Sequence, residues 1–446
     1  MMTGLEICAL IMTTIRDGTT SNWFTETFRV GKAFSRTRKL SMPLVMLFLM
    51  FKTKASLPNE IDSFLHRFWV SISEILGKQA QTFTKQALSK ARKGIDIKAF
   101  EWLVTSSVNT FFAYSDAIRT WCNLLVFAVD GTDVQLPQRA QCFSMFGAQR
   151  VRNNGRFPMA KGSLLYCVSI RLVADAILER CKYSERELAM KHMSAFLNLP
   201  VAKKSVVLFD RGYFSLDFCN FMADCETFFV FRMKKDSRFL KVFRNRKLRT
   251  VEINLNSNIE NAEPLIVRVV RFRLPDGQYE YLVTNLLDRS HKVEMFRELY
   301  FMRWPVETKY KQIKSRFQLE SFSGYCDEAI DQDFLLAVFF ANLTEILRGE
   351  ADVQIERIML DGAEYNSSPQ QRKYSYRSGE AVIASRLKLY FPEVLVGVQD
   401  ALSACEHILA VAIQKSNWVQ VISGRHYART VKQPARKFCY NRKPCF

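Results

Sequence analysis

Two short apolar runs, each ending in an aspartate, place the strongest constraint on how this chain folds. Leu124–Val129 leads directly into Asp130, and Gly131 follows. The second run, Ser205–Phe209, leads into Asp210. Apolar runs of this length predict buried strands, with a tight turn allowed at Gly131. Both carboxylates would then lie at one edge of a sheet, where open sheets carry their sites. Alternatively, each aspartate only caps a turn, which is common for Asp-Gly.

A third acidic residue lies in the segment YFMRWPVETKYKQIK, which covers residues 300–314. Four of its polar residues have two, three and six residues between successive members: Tyr300, Arg303, Glu307 and Lys314. Pro305 predicts a helix start, because the first helical turn does not need its N–H. Glu307, Lys311 and Lys314 then share one helix face. A carboxylate beside two ammonium groups suits a metal ion and a phosphate, although a solvated salt-bridge face has the same pattern.

Asp130, Asp210 and Glu307 together indicate a divalent metal site. Magnesium prefers oxygen ligands and is usually held by one or two carboxylates, water and substrate phosphate. Two such ions about 4 Å apart can bind the attacking and leaving oxygens of a phosphoryl displacement. Asp133 is interpreted as a turn residue or a supporting residue rather than a ligand. Manganese is expected to substitute for magnesium.

These motifs resemble those of the DDE transposases of insertion sequences, and within that class the IS-four family. The resemblance rests on Asp130-Gly-Thr, on Asp210-Arg-Gly-Tyr and on the complete Tyr-Arg-Glu-Lys spacing of residues 300–314. It covers roughly residues 36–348. Three motifs in strand, strand and helix contexts are far more specific than any one of them.

The resemblance implies an α/β fold: a ribonuclease H-like core with a mixed sheet and flanking helices, interrupted by a β-rich insertion. Helical regions are expected at both ends of the chain. The metal ligands would be Asp130, Asp210 and Glu307. Tyr300, Arg303 and Lys314 would contact the terminal DNA phosphates. Three more DNA contacts are expected beside them: Lys311, Arg211 and Tyr281. In relatives an aromatic residue stacks on a flipped base, and Tyr281 is the residue at the matching position.

The charge of the chain favours a polyanionic partner. Lys and Arg number 64 against 44 Asp and Glu, which gives a net charge of +20. Nucleic acid fits this excess better than a membrane does. The longest apolar run, Pro43–Phe51, is shorter than the ~20 residues that span a bilayer. With no secretory signal apparent, a cytosolic location is expected. The sequence has no GxxxxGK[ST] motif, so no nucleotide cofactor is expected.

Five segments are predicted along the chain. They are a helical DNA-binding region (1–115), the first part of the core (116–226), the β-rich insertion (227–287), the second part of the core (288–350) and a helical region with a basic tail (351–446). The first contains a helix-turn-helix-like pattern whose expected DNA contacts are Lys85, Lys90 and Arg92. Alternatively, a solvent-exposed basic face of a helix has the same sequence pattern. A second basic candidate is the arm Trp23–Lys39, and the tail is Gly424–Phe446.

The predicted function is cut-and-paste transposition: cleavage at the terminal inverted repeats of an element and joining to target DNA. A homodimer on paired ends is expected from the resemblance. One alternative is a metal-dependent nuclease on the same core, which cuts without strand transfer. Another is a decayed, non-catalytic DNA-binding relative, which would be expected to have lost or displaced at least one of the three acids.

Overall fold

The computed structural model describes residues 2–36, 39–52, 56–76, 79–115, 118, 120–151, 155–244, 247–364 and 375–421. These residues form two compact units. Unit 1 comprises the described residues within 1–116, 134–160 and 312–446, and unit 2 comprises those within 117–133 and 161–311. This division differs from the five predicted segments, whose boundaries stay a prediction. The basic tail Gly424–Phe446 lies outside the described residues, as does Arg38 of the basic arm.

Unit 1 is mainly helical. Its helices are α1 (Gly4–Thr20), α2 (Asn22–Phe28), α3 (Met42–Phe51), α4 (Leu57–Leu76), α5 (Lys85–Arg92), α6 (Lys98–Tyr114), α7 (Ala140–Phe146), α12 (Asp327–Glu364), α13 (Glu380–Leu395) and α14 (Ala401–Ala412). Its short strands pair as β2 (Ala148–Val151) with the start of β3 (Gly155–Cys167), and β10 (Ser375–Ser378) with β11 (Trp418–Val421).

The core of unit 1 forms around the strongly apolar helix α3 and the apolar middle of the long helix α12. In α3, all described residues except Pro43 are buried, and Ser41 caps the helix by accepting a hydrogen bond from the Leu44 N–H. The 38-residue α12 packs against α1, α6 and α13. None of the described helices is both long enough and apolar enough to cross a membrane.

Arg92 ties the end of α5 to the start of α12. Its side chain is 4% exposed. It donates hydrogen bonds to the Gln332 Oε1, the Ser323 Oγ and the Ala329 carbonyl, and it forms an ion pair with Asp333 at 3.0 Å. The expectation that Arg92 contacts DNA is therefore wrong, because its guanidinium is buried and engaged within unit 1.

Unit 2 contains a mixed sheet with helices. Its strands are β1 (Leu125–Gln135), the later part of β3, β4 (Leu172–Arg180), β5 (Ser205–Phe209), β6 (Phe228–Arg232), β7 (Thr250–Asn254), β8 (Ile266–Arg273) and β9 (Tyr279–Thr284). The strand order is β4-β3-β1-β5-β6-β9-β8-β7. Strands β1, β5 and β6 are parallel, whereas β6, β9, β8 and β7 pair antiparallel. The strands of the predicted insertion thus extend the same sheet.

The helices of unit 2 are α8 (Glu185–Leu197), α9 (Leu216–Asp224), α10 (Val293–Phe301) and the first part of α11 (Pro305–Arg316). The third acid, Glu307, lies on α11. The resemblance implied an α/β architecture in which a mixed sheet has flanking helices and one acid lies on a helix. The structure has this architecture, so the predicted fold class is confirmed.

The predicted end of the first strand is wrong. β1 does not turn at Gly131 but continues to Gln135. A Cβ at Gly131 would lie only 2.9 Å from the Glu185 Cγ. Gly131 therefore lies within a strand, where a neighbouring side chain approaches its backbone closely, and not in a turn.

We predict that Arg92→Ala destabilises the protein by about 3 kcal/mol, because it leaves the Asp333 carboxylate, whose side chain is only 9% exposed, with one fewer cation. Urea denaturation of the full chain measures this change. Lys90→Ala, on the same helix but exposed, is the matched control and should change stability by less than about 0.5 kcal/mol. Equal stability of the two variants would contradict the structural role of Arg92.

Candidate active site

The parallel pairing of β1 with β5 brings the two aspartates side by side. Val129 and Phe209 are register partners. Asp130 and Asp210 directly follow these two residues. The two aspartates therefore lie side by side where the pairing of β1 with β5 ends. Adjacent strands lie about 4.8 Å apart. The backbone pairing therefore sets the separation of the first two acids.

Arg303 lies between the three acids. It occupies the turn between α10 and α11, and its side chain is 3% exposed. Its Nη2 atom is 2.9 Å from the Glu307 Oε1 and 3.9 Å from the Asp210 Oδ2, and its Nη1 atom is 3.9 Å from the Asp130 Oδ2. Asp130, Asp210 and Glu307 are thus brought together around one guanidinium group.

Asp210 is held by two further groups. The Tyr300 hydroxyl donates to the Asp210 Oδ1 at 3.0 Å, and the Arg232 Nη1 is 3.3 Å from the same oxygen. Arg232 is itself paired with the buried Glu280. These contacts fix the rotation of the Asp210 carboxylate, so that its other oxygen, Oδ2, is the one nearest to Arg303.

The two aspartates have opposite pKa shifts. Burial raises the pKa of Asp130 to about 7; the Glu307 and Glu185 charges add to this, while Arg303 and a hydrogen bond at Gly131 oppose it. The pKa of Asp210 is lowered overall, although burial acts to raise it. The effect of burial is outweighed by the charge of Arg303, by hydrogen bonds from the Arg211 backbone and Tyr300, and by the charge of Arg232.

The donor set fits a hard divalent cation. Three carboxylates face one cationic group, and all their donor atoms are oxygens, which magnesium and manganese prefer. The Arg303 Nε and Nη1 are buried without a hydrogen-bond partner among the described residues. The Arg303 Nη2 donates a hydrogen bond to the Glu307 Oε1, whereas at 3.9 Å the interactions of the guanidinium with Asp130 and Asp210 are those of charge.

The remaining residues predicted beside the triad differ in their surroundings. Lys311 is exposed on α11. Lys314 belongs to unit 1, where its Nζ is 3.3 Å from the Glu320 Oε1. Arg211 is half-buried, with its Nη2 3.7 Å from the Glu280 Oε1. Tyr281 on β9 is half-buried, and its ring centroid lies 5.8 Å from that of Phe243. Their predicted contacts to DNA stay predictions.

Both basic candidates of the N-terminal region line one open cavity of about 1110 Å³ in unit 1. Its cationic lining residues come from the arm and from α5: Lys32, Arg36, Lys39 and Lys90. Among the described lining residues there is no carboxylate. Lys85, at the start of the same helix, lines a different cavity. The sequence suggested both basic segments but not that they meet.

Several residues near the triad were not found from the sequence. The Tyr310 hydroxyl donates to the Asp130 carbonyl at 2.7 Å. Arg232 and Glu280 form the ion pair behind Asp210. Glu185 approaches Gly131, and Tyr213 has a buried hydroxyl. Only Tyr213 carried a signal, since it ends the Asp210-Arg-Gly-Tyr motif.

Comparison with known families identifies the class of protein that carries this site. Residues 121–343 match the family model described as Transposase DDE domain. The matched span is half of the chain and contains all three acids. The chain therefore belongs to the DDE transposase family, and the resemblance inferred from its motifs is confirmed.

Two curated relatives are similar to this chain over part of its length. "Putative transposase y4zB" of Sinorhizobium fredii is 26% identical over 159 residues, which are 33% of this chain and 44% of the relative. "Transposase InsG for insertion sequence element IS4" of Escherichia coli is 25% identical over 211 residues, or 44% of this chain and 46% of the relative. The chain thus spans less than half the length of either relative.

A solved structure also aligns with the chain. It is the cryo-EM structure of a piggyBac transposase synaptic complex with hairpin DNA. The alignment covers 92% of this chain and 84% of that chain, with 10% identity and a TM-score of 0.42.

We predict that Arg303→Ala destabilises the protein by about 3 kcal/mol at neutral pH, because three carboxylates lose the cation between them. The measurement is the free energy of unfolding in urea. Arg211→Ala removes a half-exposed cation at 3.7 Å from a carboxylate and should cost less than about 1 kcal/mol. A variant at position 303 as stable as the control would show that the guanidinium does not hold the acids together.

Proposed function

We propose that this protein is a DNA transposase that cuts an element at its terminal inverted repeats and joins it to target DNA by cut-and-paste phosphoryl transfer. The observation that supports this most strongly is the convergence of Asp130, Asp210 and Glu307 around the buried Arg303. Membership of the DDE transposase family supports the same reaction.

The three carboxylates would hold two divalent ions, magnesium or in its place manganese. Such ions lower the pKa of bound water and stabilise charge on the attacking and leaving oxygens. Glu307 is the most exposed of the three acids, with a side chain that is 39% exposed. Asp130 lies on β1 and Asp210 directly follows β5, so the pairing of these strands limits the movement of both aspartates, and Glu307 on its helix would be the residue that adjusts to the substrate.

Other residues of the site would bind and orient the DNA. Arg303 and the Tyr300 hydroxyl lie among the acids and would contact terminal phosphates once the cations balance the carboxylates. Arg232 would keep its contact with Asp210 and would not bind DNA, because its ion pair with the buried Glu280 holds its guanidinium in place. Lys311, exposed on the Glu307 helix, would bind a phosphate further along the strand. An arginine suits such sites because its planar fork matches phosphate oxygens.

The cavity between the arm and α5 would bind the DNA backbone. Its four cationic side chains, without a carboxylate among the described lining residues, give a local positive field. The chain as a whole is also positively charged, with a net charge of +20. Neutralisation of phosphates releases counterions and favours binding in a salt-dependent way. A homodimer on paired ends and a cytosolic location remain predictions of this proposal.

The direct test is cleavage and joining by the full chain. The substrate is linear DNA that carries the sequences flanking the coding region, incubated with a target plasmid and magnesium or manganese. Glu307→Gln, Asp130→Asn and Asp210→Asn should each lower cleavage by about 1,000-fold or more, because several kcal/mol of transition-state stabilisation are lost. Glu298→Gln, an exposed acid on α10, is the matched control and should keep wild-type rates.

The products distinguish transposition from the two alternatives, a metal-dependent nuclease and a non-catalytic DNA-binding protein. Joined element–target DNA together with cleaved ends supports transposition. Cleaved ends without joined product would indicate a metal-dependent nuclease. DNA binding without any cleavage, unaffected by the three substitutions, would reject an enzymatic role.

We predict that the triple variant Lys32→Gln, Arg36→Gln, Lys90→Gln binds DNA more weakly and with a shallower salt dependence. The slope of log K against log salt concentration should fall by about 2 to 3, since each phosphate contact contributes roughly 0.9. Fluorescence anisotropy on duplex DNA measures this slope. The control variant replaces three exposed lysines elsewhere with Gln: Lys182, Lys203 and Lys415. Equal slopes for both triple variants would exclude the cavity as the DNA-binding surface.

A further inference from the structure

A buried chain of polar side chains leads from helix α8 to the backbone of Asp130. His192 on α8 and Ser163 on β3 are both 0% exposed. The His192 Nδ1 is 2.6 Å from the Asp175 Oδ2, and its Nε2 is 2.9 Å from the Ser163 Oγ. The Ser163 Oγ in turn lies 3.4 Å from the Asp130 carbonyl oxygen. All four residues belong to unit 2.

These distances are those of a Ser-His-Asp triad, but burial excludes nucleophilic catalysis by the serine. In such a triad the serine oxygen must reach a carbon atom of the substrate. Ser163 is fully buried, so its oxygen is not accessible to a substrate. The network must therefore act on other groups of the protein, and the Asp130 backbone is the group at its end.

The network reaches Asp130 through its main chain and not through its carboxylate. Successive side chains of a strand face opposite sides of the sheet. On β1, the Phe127 ring packs against Phe196 of α8, with ring centroids 5.1 Å apart. Asp130, three positions later, therefore presents its carboxylate on the side away from α8. The atom that Ser163 contacts is the Asp130 carbonyl oxygen, which belongs to the backbone of the strand.

The same carbonyl oxygen accepts a second hydrogen bond, from helix α11. The donor is the Tyr310 hydroxyl, at 2.7 Å. The pairing of β1 with β5 ends one residue before Asp130, at Val129. Hydroxyl groups of Ser163 and Tyr310 therefore hold the Asp130 backbone where the ladder between these strands stops. Because the carbonyl carbon and the Cβ are bonded to the same Cα atom, holding the carbonyl limits the directions in which the carboxylate can point.

The number of available protons decides which group donates in this network. A serine hydroxyl has one proton to donate. If Ser163 donates it to the Asp130 carbonyl, Ser163 must accept at His192, so the ring nitrogen Nε2 carries a proton. A further proton between Nδ1 and Asp175 completes the network, whichever of the two groups holds it. In the other arrangement, Ser163 donates to an unprotonated Nε2, and the Asp130 carbonyl loses this donor.

We propose that His192 is a positioning residue for the candidate active site. Its Nε2–H donates to the Ser163 hydroxyl, which donates to the Asp130 carbonyl and so orients the Asp130 carboxylate for cation binding. Asp175 holds the ring in this orientation through Nδ1. This inference rests on the proposed function, because it assumes divalent cations at the three acids.

The competing explanation is a network that only stabilises the fold. A buried histidine needs partners for both ring nitrogens wherever it lies, because an unsatisfied buried polar group is destabilising. Ser163 would then donate to the His192 Nε2, and the network would affect the free energy of unfolding but not the affinity for cations. Because 3.4 Å is long for an O–H···O hydrogen bond, the direction in which Ser163 donates is the decisive observation.

The first test determines which ring nitrogens of His192 carry protons, by heteronuclear NMR of the full chain with isotopically labelled histidine. The chain has five histidines, and His192 is assigned as the signal that is missing from His192→Gln. The expected result is a protonated Nε2. An unprotonated Nε2 would overturn the proposal, because Ser163 would then donate its single proton to the ring.

The second test measures Mn²⁺ binding to the full chain without DNA, by isothermal titration calorimetry. Ser163→Ala should weaken binding by about three- to tenfold, less than the roughly 10- to 100-fold loss that follows removal of a direct partner of a metal ligand. Ser169→Ala is the matched control, because the Ser169 Oγ accepts a hydrogen bond from the Val126 N–H of the same strand β1 at 2.9 Å. Its affinity should be unchanged. Thermal unfolding of both variants establishes that they are folded.

The outcomes separate this inference from the proposed function. If Asp130→Asn abolishes Mn²⁺ binding while Ser163→Ala and Ser169→Ala bind as wild type does, the positioning role is rejected and the three-acid centre stands. Equal losses of affinity in the two serine variants would also reject it, because the effect would not be specific to the contact with Asp130. If the wild-type chain binds no Mn²⁺ even at millimolar concentration, both proposals are overturned.

Discussion

The candidate active site in unit 2 depends on one buried guanidinium group among three carboxylates. Without Arg303, the acids at residues 130, 210 and 307 would repel one another at short range, and burial of Asp130 would be more costly. The structure solves this with a cation supplied by the turn that joins α10 to α11. The same turn positions Tyr300 and Glu307 on either side. A single short segment of chain therefore supplies charge balance, orientation and the third acid.

The sequence predicted the parts of this site that follow from regular backbone geometry. Strand pairing and helix periodicity position the three acidic side chains. The apolar runs before Asp130 and Asp210 and the helical spacing after Pro305 were therefore sufficient to predict where these side chains lie. Motif spacing added the class of protein. The convergence of the acids was therefore predictable without knowledge of the chain between them.

Other features were not predictable, because the same letters occur in different environments. Arg92 belongs to a basic stretch that resembles an exposed face, yet its partners, such as Asp333, are more than 200 residues away. Gly131 after an aspartate is typical of a turn, but here it makes room for Glu185. Glu185 begins helix α8 directly after Ser184, and its position in the sequence does not indicate which residues it approaches. Long-range packing decided each case.

The register of β1 against β5 has a consequence for how such a site tolerates change. Because Asp130 and Asp210 are set apart by one interstrand spacing, their separation is a property of the hydrogen-bond lattice and not of the intervening chain. Strands β3 and β4 and helix α8 all lie within that interval. Insertions and deletions in the loops between them leave the two carboxylates in place, provided that the five register pairs from Leu125 to Val129 are kept. The sheet therefore sets the distance between the two acids, and changes of sequence in the interval can alter the surroundings of the candidate site without moving these two carboxylates.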